Sequence, residues 1–242
     1  MKIESLSNSK IKDVSKLKIK KYRDLNKKFI VEGSHLVYEA YKHGYLLEIY
    51  SLVTDNYLDI DVLKYEVTSE IMNKLSDQVT KTDVIGVCKY IDEEINDNYN
   101  YLLLDGIQDP GNLGTIIRSA AAFNFNVILG DNTVDIYNSK TIRSTEGMIF
   151  VTKFKKCNLV EFYNNNLDLN YYIADMNKGN NVKDLKLNNS VAVIMGNEGN
   201  GISDTIRNLN LNYLFVNQNK LCESLNVGVA ASIIMHELGD IK

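Results

Sequence analysis

Residues Asp105–Asn124 read DGIQDPGNLGTIIRSAAAFN and follow directly on the apolar run Tyr101-Leu102-Leu103-Leu104. They include Pro110, the one proline in the sequence. Beyond Pro110-Gly111-Asn112, the residues Leu113, Ile116, Ile117, Ala120 and Ala121 fall at i, i+3, i+4, i+7 and i+8, one apolar stripe on a helical period. A buried strand therefore ends in a glycine-rich turn and feeds straight into a helix. Such a junction leaves unpaired backbone N–H groups and a positive dipole end at the mouth of a sheet, where α/β proteins bind ligands. Arg118 stands off the stripe. Two readings stay open here: Asn112 is an N-cap and Arg118 is solvated, or both belong to a site.

Working outward, further strands are expected at Val127–Leu129, Tyr171–Ala174, Val191–Met195 and Tyr213–Val216, with helices or loops between them. That alternation predicts a largely parallel sheet. Before the opening stretch, strands are expected at Phe29–Glu32, Leu47–Val53 and Val84–Tyr90, and helices at Ser34–His43 and Ser69–Leu75. They predict a smaller α/β domain of its own, 1–92, joined to a second domain, 98–242, by the acidic run DEEINDNYN at Asp92–Asn100. Between Lys10 and Lys28 nine cations, among them Lys12, Lys16, Lys18, Lys20, Lys21 and Arg23, are opposed by Asp13 and Asp24 alone. Ile11, Val14, Leu17 and Leu25 interleave at helical spacing, which predicts an amphipathic basic helix. It is either a footprint for a phosphate backbone or a solvated lysine face.

Composition narrows the classes. The chain of 242 residues is 45% hydrophobic and 24% charged, ordinary values for a soluble protein. No apolar run is long enough to span a bilayer. Cys88, Cys157 and Cys222 are odd in number and far apart, and His35, His43 and His236 are not at ligand spacing. Neither a disulfide framework nor a metal site is expected, and a reducing cytoplasm fits best. A formal charge of −4 argues against a globally basic nucleic-acid binder but leaves room for a local basic face.

Two more polar clusters follow strands of the second sheet. IMGNEGNGIS, Ile194–Ser203, packs three glycines close together, so its backbone can approach a ligand. It is neither G-x-G-x-x-G nor a Walker A loop, which counts against dinucleotide and nucleoside-triphosphate readings. Glu198 inside it either caps the turn or pairs with a cation. ESLNVGVAA, Glu223–Ala231, opens a final helix running to about Leu238, with Ser224 and Asn226 as candidate caps or as the rim of a polar pocket.

Taken in order, DPGNLGTIIRSAAAFN, IMGNEGNGIS and ESLNVGVAASIIM closely resemble the three signature motifs of the SpoU (TrmH) family of RNA 2′-O-ribose methyltransferases. The first half resembles the L30e-like substrate-binding domain that many members carry. The resemblance implies a knotted (trefoil, SPOUT-type) parallel-sheet methyltransferase domain, S-adenosyl-L-methionine as cofactor, no metal, and a homodimer. It carries Asn112, Arg118, Glu198, Ser224 and Asn226 over as catalytic positions. Gly196, Asn197, Glu198, Gly201, Val216, Leu225 and Asn226 carry over as cofactor-binding ones. Proposals for the family make the arginine a base, but a guanidinium is protonated far above neutral pH, which makes a neutral guanidine costly. Arg118 gripping phosphate and polarising the hydroxyl, with Asn112, Ser224 and Asn226 orienting Arg118 and the ribose and Glu198 holding or tuning the cation, is the division of roles favoured here.

The chain also departs from the pattern. Asn124 follows Phe123 where the family often has glycine, and Asn217–Cys222 lacks the family's proline-containing turn. Arg143-Ser144-Thr145-Glu146-Gly147 resembles the family's Arg-x-Ser-x-Gly segment with Thr145 for serine. The expected function is methylation of a ribose 2′-oxygen in structured RNA, ribosomal RNA ahead of transfer RNA. The alternative is a non-catalytic RNA-binding or ribosome-assembly factor on the same scaffold.

Overall fold

The computed structural model describes residues 1–77, 82–176, 178–186, 189–219 and 221–239. Lys220, within the run that departs from the family turn, and residues 240–242 of the second domain lie outside them. The chain forms two compact units, Met1–Asp92 with Asp135–Phe150, and Glu93–Val134 with Val151–Lys242.

In the first unit the chain runs β1 (Lys2–Ile3), α1 (Ser9–Lys16), α2 (Lys20–Asn26), β2 (Lys28–Glu32), α3 (Ser34–Lys42), β3 (Leu46–Ser51), β4 (Leu63–Val67), α4 (Ser69–Leu75) and β5 (Val84–Lys89). The strands lie in the order β1-β4-β3-β5-β2, with β5 antiparallel to both its neighbours. The expected basic helix is two helices, broken at Leu17–Ile19. Ile11, Val14 and Leu17 turn into a core with Tyr50, Ile71, Leu75 and Ile85, so α1 follows its apolar stripe. Leu25, counted on that stripe, is 75% exposed. The basic face is also partly neutralised. Lys10 pairs with Glu48, Lys16 with Asp13, Lys18 with Asp77 and Lys20 with Asp24.

In the second unit β6 (Asn100–Asp105) leads into α5 (Pro110–Phe123) and β7 (Phe125–Leu129). The chain then gives α6 (Ser139–Ser144) to the first unit and returns as β8 (Phe154–Lys156), α7 (Leu159–Asn165), β9 (Asn170–Ala174), β10 (Asn180–Asn181), β11 (Val191–Gly196), α8 (Asp204–Arg207), β12 (Asn212–Phe215) and α9 (Val227–Leu238). Among the described residues the sheet runs β10-β12-β9-β11-β6-β7-β8, every pair parallel. A parallel sheet covered on both faces needs strands apolar on both sides. Leu102, Leu103 and Leu104 of β6 and Val191–Ile194 of β11 are accordingly buried. Asn126, fully buried in β7, accepts from Asn96 N and donates to Asn96 O, so the acidic run read as a linker is tied to this sheet.

Asp135–Phe150, which lies within the expected second domain, belongs with the first unit. Arg23 Nη2 donates to Asp135 Oδ2 at 2.6 Å, with the two side chains 7% and 9% exposed. Tyr137 stacks on Tyr90 at 4.0 Å and lies 4.8 Å from Phe29. Removing one partner of a buried pair leaves the other charge uncompensated, so Asp135→Ala is expected to lower stability by about 3–5 kcal/mol. Urea denaturation measures this, and a loss no larger than that of a surface substitution would show the pair to be dispensable.

Candidate active site

Strands β6 and β11 are neighbours, with Gly196 in register with Asp105, and the chain leaves β6 towards one side of the sheet and reaches β11 from the other. The crevice at the carboxyl ends of such strands is where open α/β sheets bind ligands. The loops leaving both strands meet there.

The first loop settles the role of Asn112. Asp109 caps α5, its Oδ1 accepting from Asn112 N at 3.0 Å, and Pro110 stands at the first helical position. Asn112 is therefore not the cap, and its side-chain amide is free to work elsewhere. The Asp-Pro pair was the available signal, since proline fits the first turn and aspartate the position before it.

The second loop folds tightly back. Asn197 N donates to Gly201 O and Gly201 N to Asn197 O, both at 2.9 Å, with Gly201 at φ +68°. A Cβ on Gly196 would lie 2.6 Å from the Gly201 carbonyl carbon, so only glycine permits this approach. The Asn197 side chain holds the loop. Its Oδ1 accepts from Gly199 N and Asn200 N, and its Nδ2 donates to Gly106 O at 2.8 Å.

Glu198 is thereby placed over the first turn of α5. Its Oε1 accepts from Asp109 N at 3.3 Å and Asn112 Nδ2 at 3.0 Å, and its Oε2 accepts from Gln108 N at 3.2 Å. Burial pushes its pKa up. The hydrogen bonds from Asn112, its own N–H, Gln108 and Asp109 outweigh that and hold it below the ordinary 4.5. The expected Glu198–Arg118 pairing is absent. The carboxylate is occupied by these donors, and exposed Arg118 makes no hydrogen bond or ion pair with any described residue.

The third motif joins the other two. Asn226 caps α9, its Oδ1 accepting from Gly228 N and Val229 N, while its Nδ2 donates to Asn112 Oδ1 at 2.9 Å. The Asn112 amide thus donates to Glu198 and accepts from Asn226. Glu198, Asn112 and Asn226 form one hydrogen-bonded line across residues far apart in sequence. Ser224 is exposed and does not cap α9.

Beside this line opens a cavity of about 850 Å³. Gly196, Asn197, Glu198 and Gly201 form one side, and Ser224, Leu225 and Asn226 form another. Val216 lines it too, because β12 stops at Phe215 and releases it from the sheet. Asp175 and Met176, just after β9, and Tyr213 of β12 are also part of the wall; they carry no motif, so their place at the ends of strands was the sole clue. The size suits a nucleoside-sized ligand, and the glycine loop offers it bare backbone. Among the described residues no group of His, Cys, Asp and Glu side chains is arranged to hold a metal ion.

The lowered pKa of Glu198 fixes the sign of a pH effect. Its carboxylate contributes stability that is fully present above pH 4.5, the ordinary value, and is lost as pH falls through the lower folded value. Glu198→Gln is therefore expected to lie below wild type in urea midpoint at pH 6 and to converge with it towards pH 3. A difference unchanged by pH would show that the charge contributes nothing.

Known protein families match the chain in both its halves. Residues 99–236 match the SpoU rRNA Methylase family, and residues 8–86 match the MRM3-like substrate binding domain. Over 98% of its length the chain is 35% identical to the 23S rRNA (guanosine(2553)-2'-O)-methyltransferase RlmP of Bacillus subtilis, covering 98% of that protein. It is similar in structure to an AdoMet-bound rRNA methyltransferase from Sinorhizobium meliloti, with TM-score 0.86, 24% identity, and 98% and 97% of the two chains covered. The SpoU methyltransferase AviRb from Streptomyces viridochromogenes gives TM-score 0.84 at 20% identity, with 96% and 97% covered. At those identities the two structures speak for the fold. No helix among the described residues is long and apolar enough to cross a membrane.

Proposed function

The chain belongs to the SpoU rRNA Methylase family, and from that membership we propose that it transfers a methyl group from S-adenosyl-L-methionine to a ribose 2′-oxygen of ribosomal RNA. The observation that carries the reading is the Glu198–Asn112–Asn226 line, which joins the three motifs beside a cavity of the right size. The similarity to RlmP supports ribosomal RNA as the substrate, and the MRM3-like substrate-binding match supports the first unit as the part that engages it.

Gly196, Asn197, Glu198, Gly201, Val216, Leu225 and Asn226 would hold the cofactor. When bound, it supplies a sulfonium methyl that is already electrophilic and needs no metal. The protein's task is the nucleophile. A ribose hydroxyl is weak at neutral pH and must be positioned and helped to lose its proton. Arg118, unpaired within the described residues, grips a phosphate beside the target ribose and polarises the hydroxyl. The proton of the ribose hydroxyl leaves to water as its oxygen bonds the methyl carbon and the bond from that carbon to sulfur breaks, its electron pair staying with sulfur. Asn112, locked between Glu198 and Asn226, and the Ser224 hydroxyl fix where the ribose sits. Glu198 acts through Asn112 and the 108–109 backbone rather than through Arg118. The trefoil knot, the homodimer and a cytoplasmic setting belong to the same proposal, as does the division into a substrate-binding domain, 1–92, and a methyltransferase domain, 98–242.

Incubation with labelled S-adenosylmethionine and either unmodified ribosomal RNA or transfer RNA tests the substrate. Label in ribosomal RNA alone is expected. Label in transfer RNA alone would overturn the substrate, and cofactor binding without transfer to either would favour an assembly factor.

A further inference from the structure

The segment Arg143–Gly147 has no part in the cavity or in the hydrogen-bonded line beside it, yet its backbone is held in one conformation. Thr145, at the end of α6, is fully buried and its Oγ1 donates to Ile142 O at 2.7 Å. Glu146 and Gly147 are both left-handed, at φ +49° and +82°. That region is unfavourable for a glutamate and persists where surrounding contacts impose it. Those contacts come from α3. A Cβ on Gly147 would lie 2.8 Å from Glu39 Cγ, and His35 Nε2 lies 3.2 Å from Glu146 O. The end of α6 is thus seated on α3, and Arg143 stands in the last turn before the seat.

The chain has four arginines among 27 basic residues. Arg23 donates to Leu17 O, Lys18 O and Asp135, and Arg207 donates to Ile202 O and Asp204. Arg118 belongs to the proposed chemistry. Arg143, half-buried, makes no hydrogen bond or ion pair with any described residue. The other basic residues of this chain are all lysines. A guanidinium differs in presenting a planar fork that matches phosphate. We propose that Arg143 is a phosphate contact for the RNA substrate, presented by the Thr145–Gly147 turn seated on α3. This rests on the reading of the chain as an RNA methyltransferase and adds to it a substrate-binding residue that none of the three motifs contains.

Binding of a fluorescent fragment of unmodified ribosomal RNA, measured at several salt concentrations for wild type, Arg143→Ala and Arg143→Lys, tests it. S-adenosylmethionine affinity and thermal melting of each variant are measured alongside. Losing one phosphate contact makes the slope of log affinity against log salt shallower by about 0.7–0.9. Arg143→Ala is expected to show that change with about three- to tenfold weaker binding at moderate salt. Arg143→Lys keeps the charge, so it retains the slope and recovers part of the affinity. Cofactor affinity and melting stay at wild-type values in both. Wild-type affinity and slope in Arg143→Ala would overturn the proposal. So would an equal loss in both variants with the slope unchanged, which marks a structural role. Wild-type protein that binds cofactor but no RNA would instead sink the substrate reading, and this inference with it.

Discussion

Arg118→Ala is expected to lower methyl transfer at least about 100-fold, the scale set by removing one preorganised electrostatic group from a reacting centre. S-adenosylmethionine affinity is expected to stay near wild type. The two readouts separate because of where Arg118 lies. It is exposed on α5, it does not line the cavity, and no described residue depends on it for a hydrogen bond. Its loss should leave the fold and the cofactor site as they are and remove the group proposed to grip RNA and polarise the hydroxyl. Arg118→Lys keeps the charge but loses the fork, so it should recover little activity. Single-turnover rates with saturating RNA measure the effect on chemistry. Near-normal transfer by Arg118→Ala would remove Arg118 from the mechanism and leave Asn112, Ser224 and Asn226 as the groups facing the ribose.

Gly196→Ala should act on the other half of the site. The added Cβ would meet Gly201 C at 2.6 Å and Ile202 N at 2.7 Å. Both are backbone atoms that no rotamer change can move aside. The loop must open, and with it go the Asn197–Gly201 bridge and the position of Glu198 over Asn112. A displacement on this scale is expected to weaken cofactor binding by about 100-fold. Gly199→Ala is the matched control, because a Cβ there meets one atom, Asn197 Oδ1, at 3.6 Å. Calorimetric titration with S-adenosylmethionine distinguishes them. Equal affinity in the two variants would mean that the tight turn is not what shapes the cofactor site.

The sequence made single elements legible and left their partners hidden. The apolar stripe from Leu113 to Ala121 announced α5, because periodicity reports which face of a helix is buried, and the polar residues Ser224 and Asn226 marked where the last helix, α9, begins. Periodicity says nothing of what lies opposite. That Asn112 links Glu198, 86 residues away, to Asn226, 114 residues away, came into view only in three dimensions. The resemblance named the three polar motifs, but not that the Glu198 carboxylate accepts from the N–H groups at the start of α5 and from Asn112. Asp135–Phe150 was unreadable for a related reason. The buried Arg23–Asp135 pair joins residues 112 positions apart, and neither residue carries a local signature of being buried. The basic run hid its partners in the same way. Its charge density was real, but two of its lysines, Lys10 and Lys18, have carboxylate partners supplied from a distant strand and loop.

The central claim is that the methyl group lands on a ribose 2′-oxygen, and alkaline hydrolysis of the labelled product tests that most directly. Alkali cleaves RNA through the 2′-hydroxyl, so a 2′-O-methyl group protects its own linkage. Label recovered in an alkali-resistant dinucleotide, and absent when Arg118→Ala replaces wild type, is the predicted result. Label released in mononucleotides would place the methyl on a base and contradict the account.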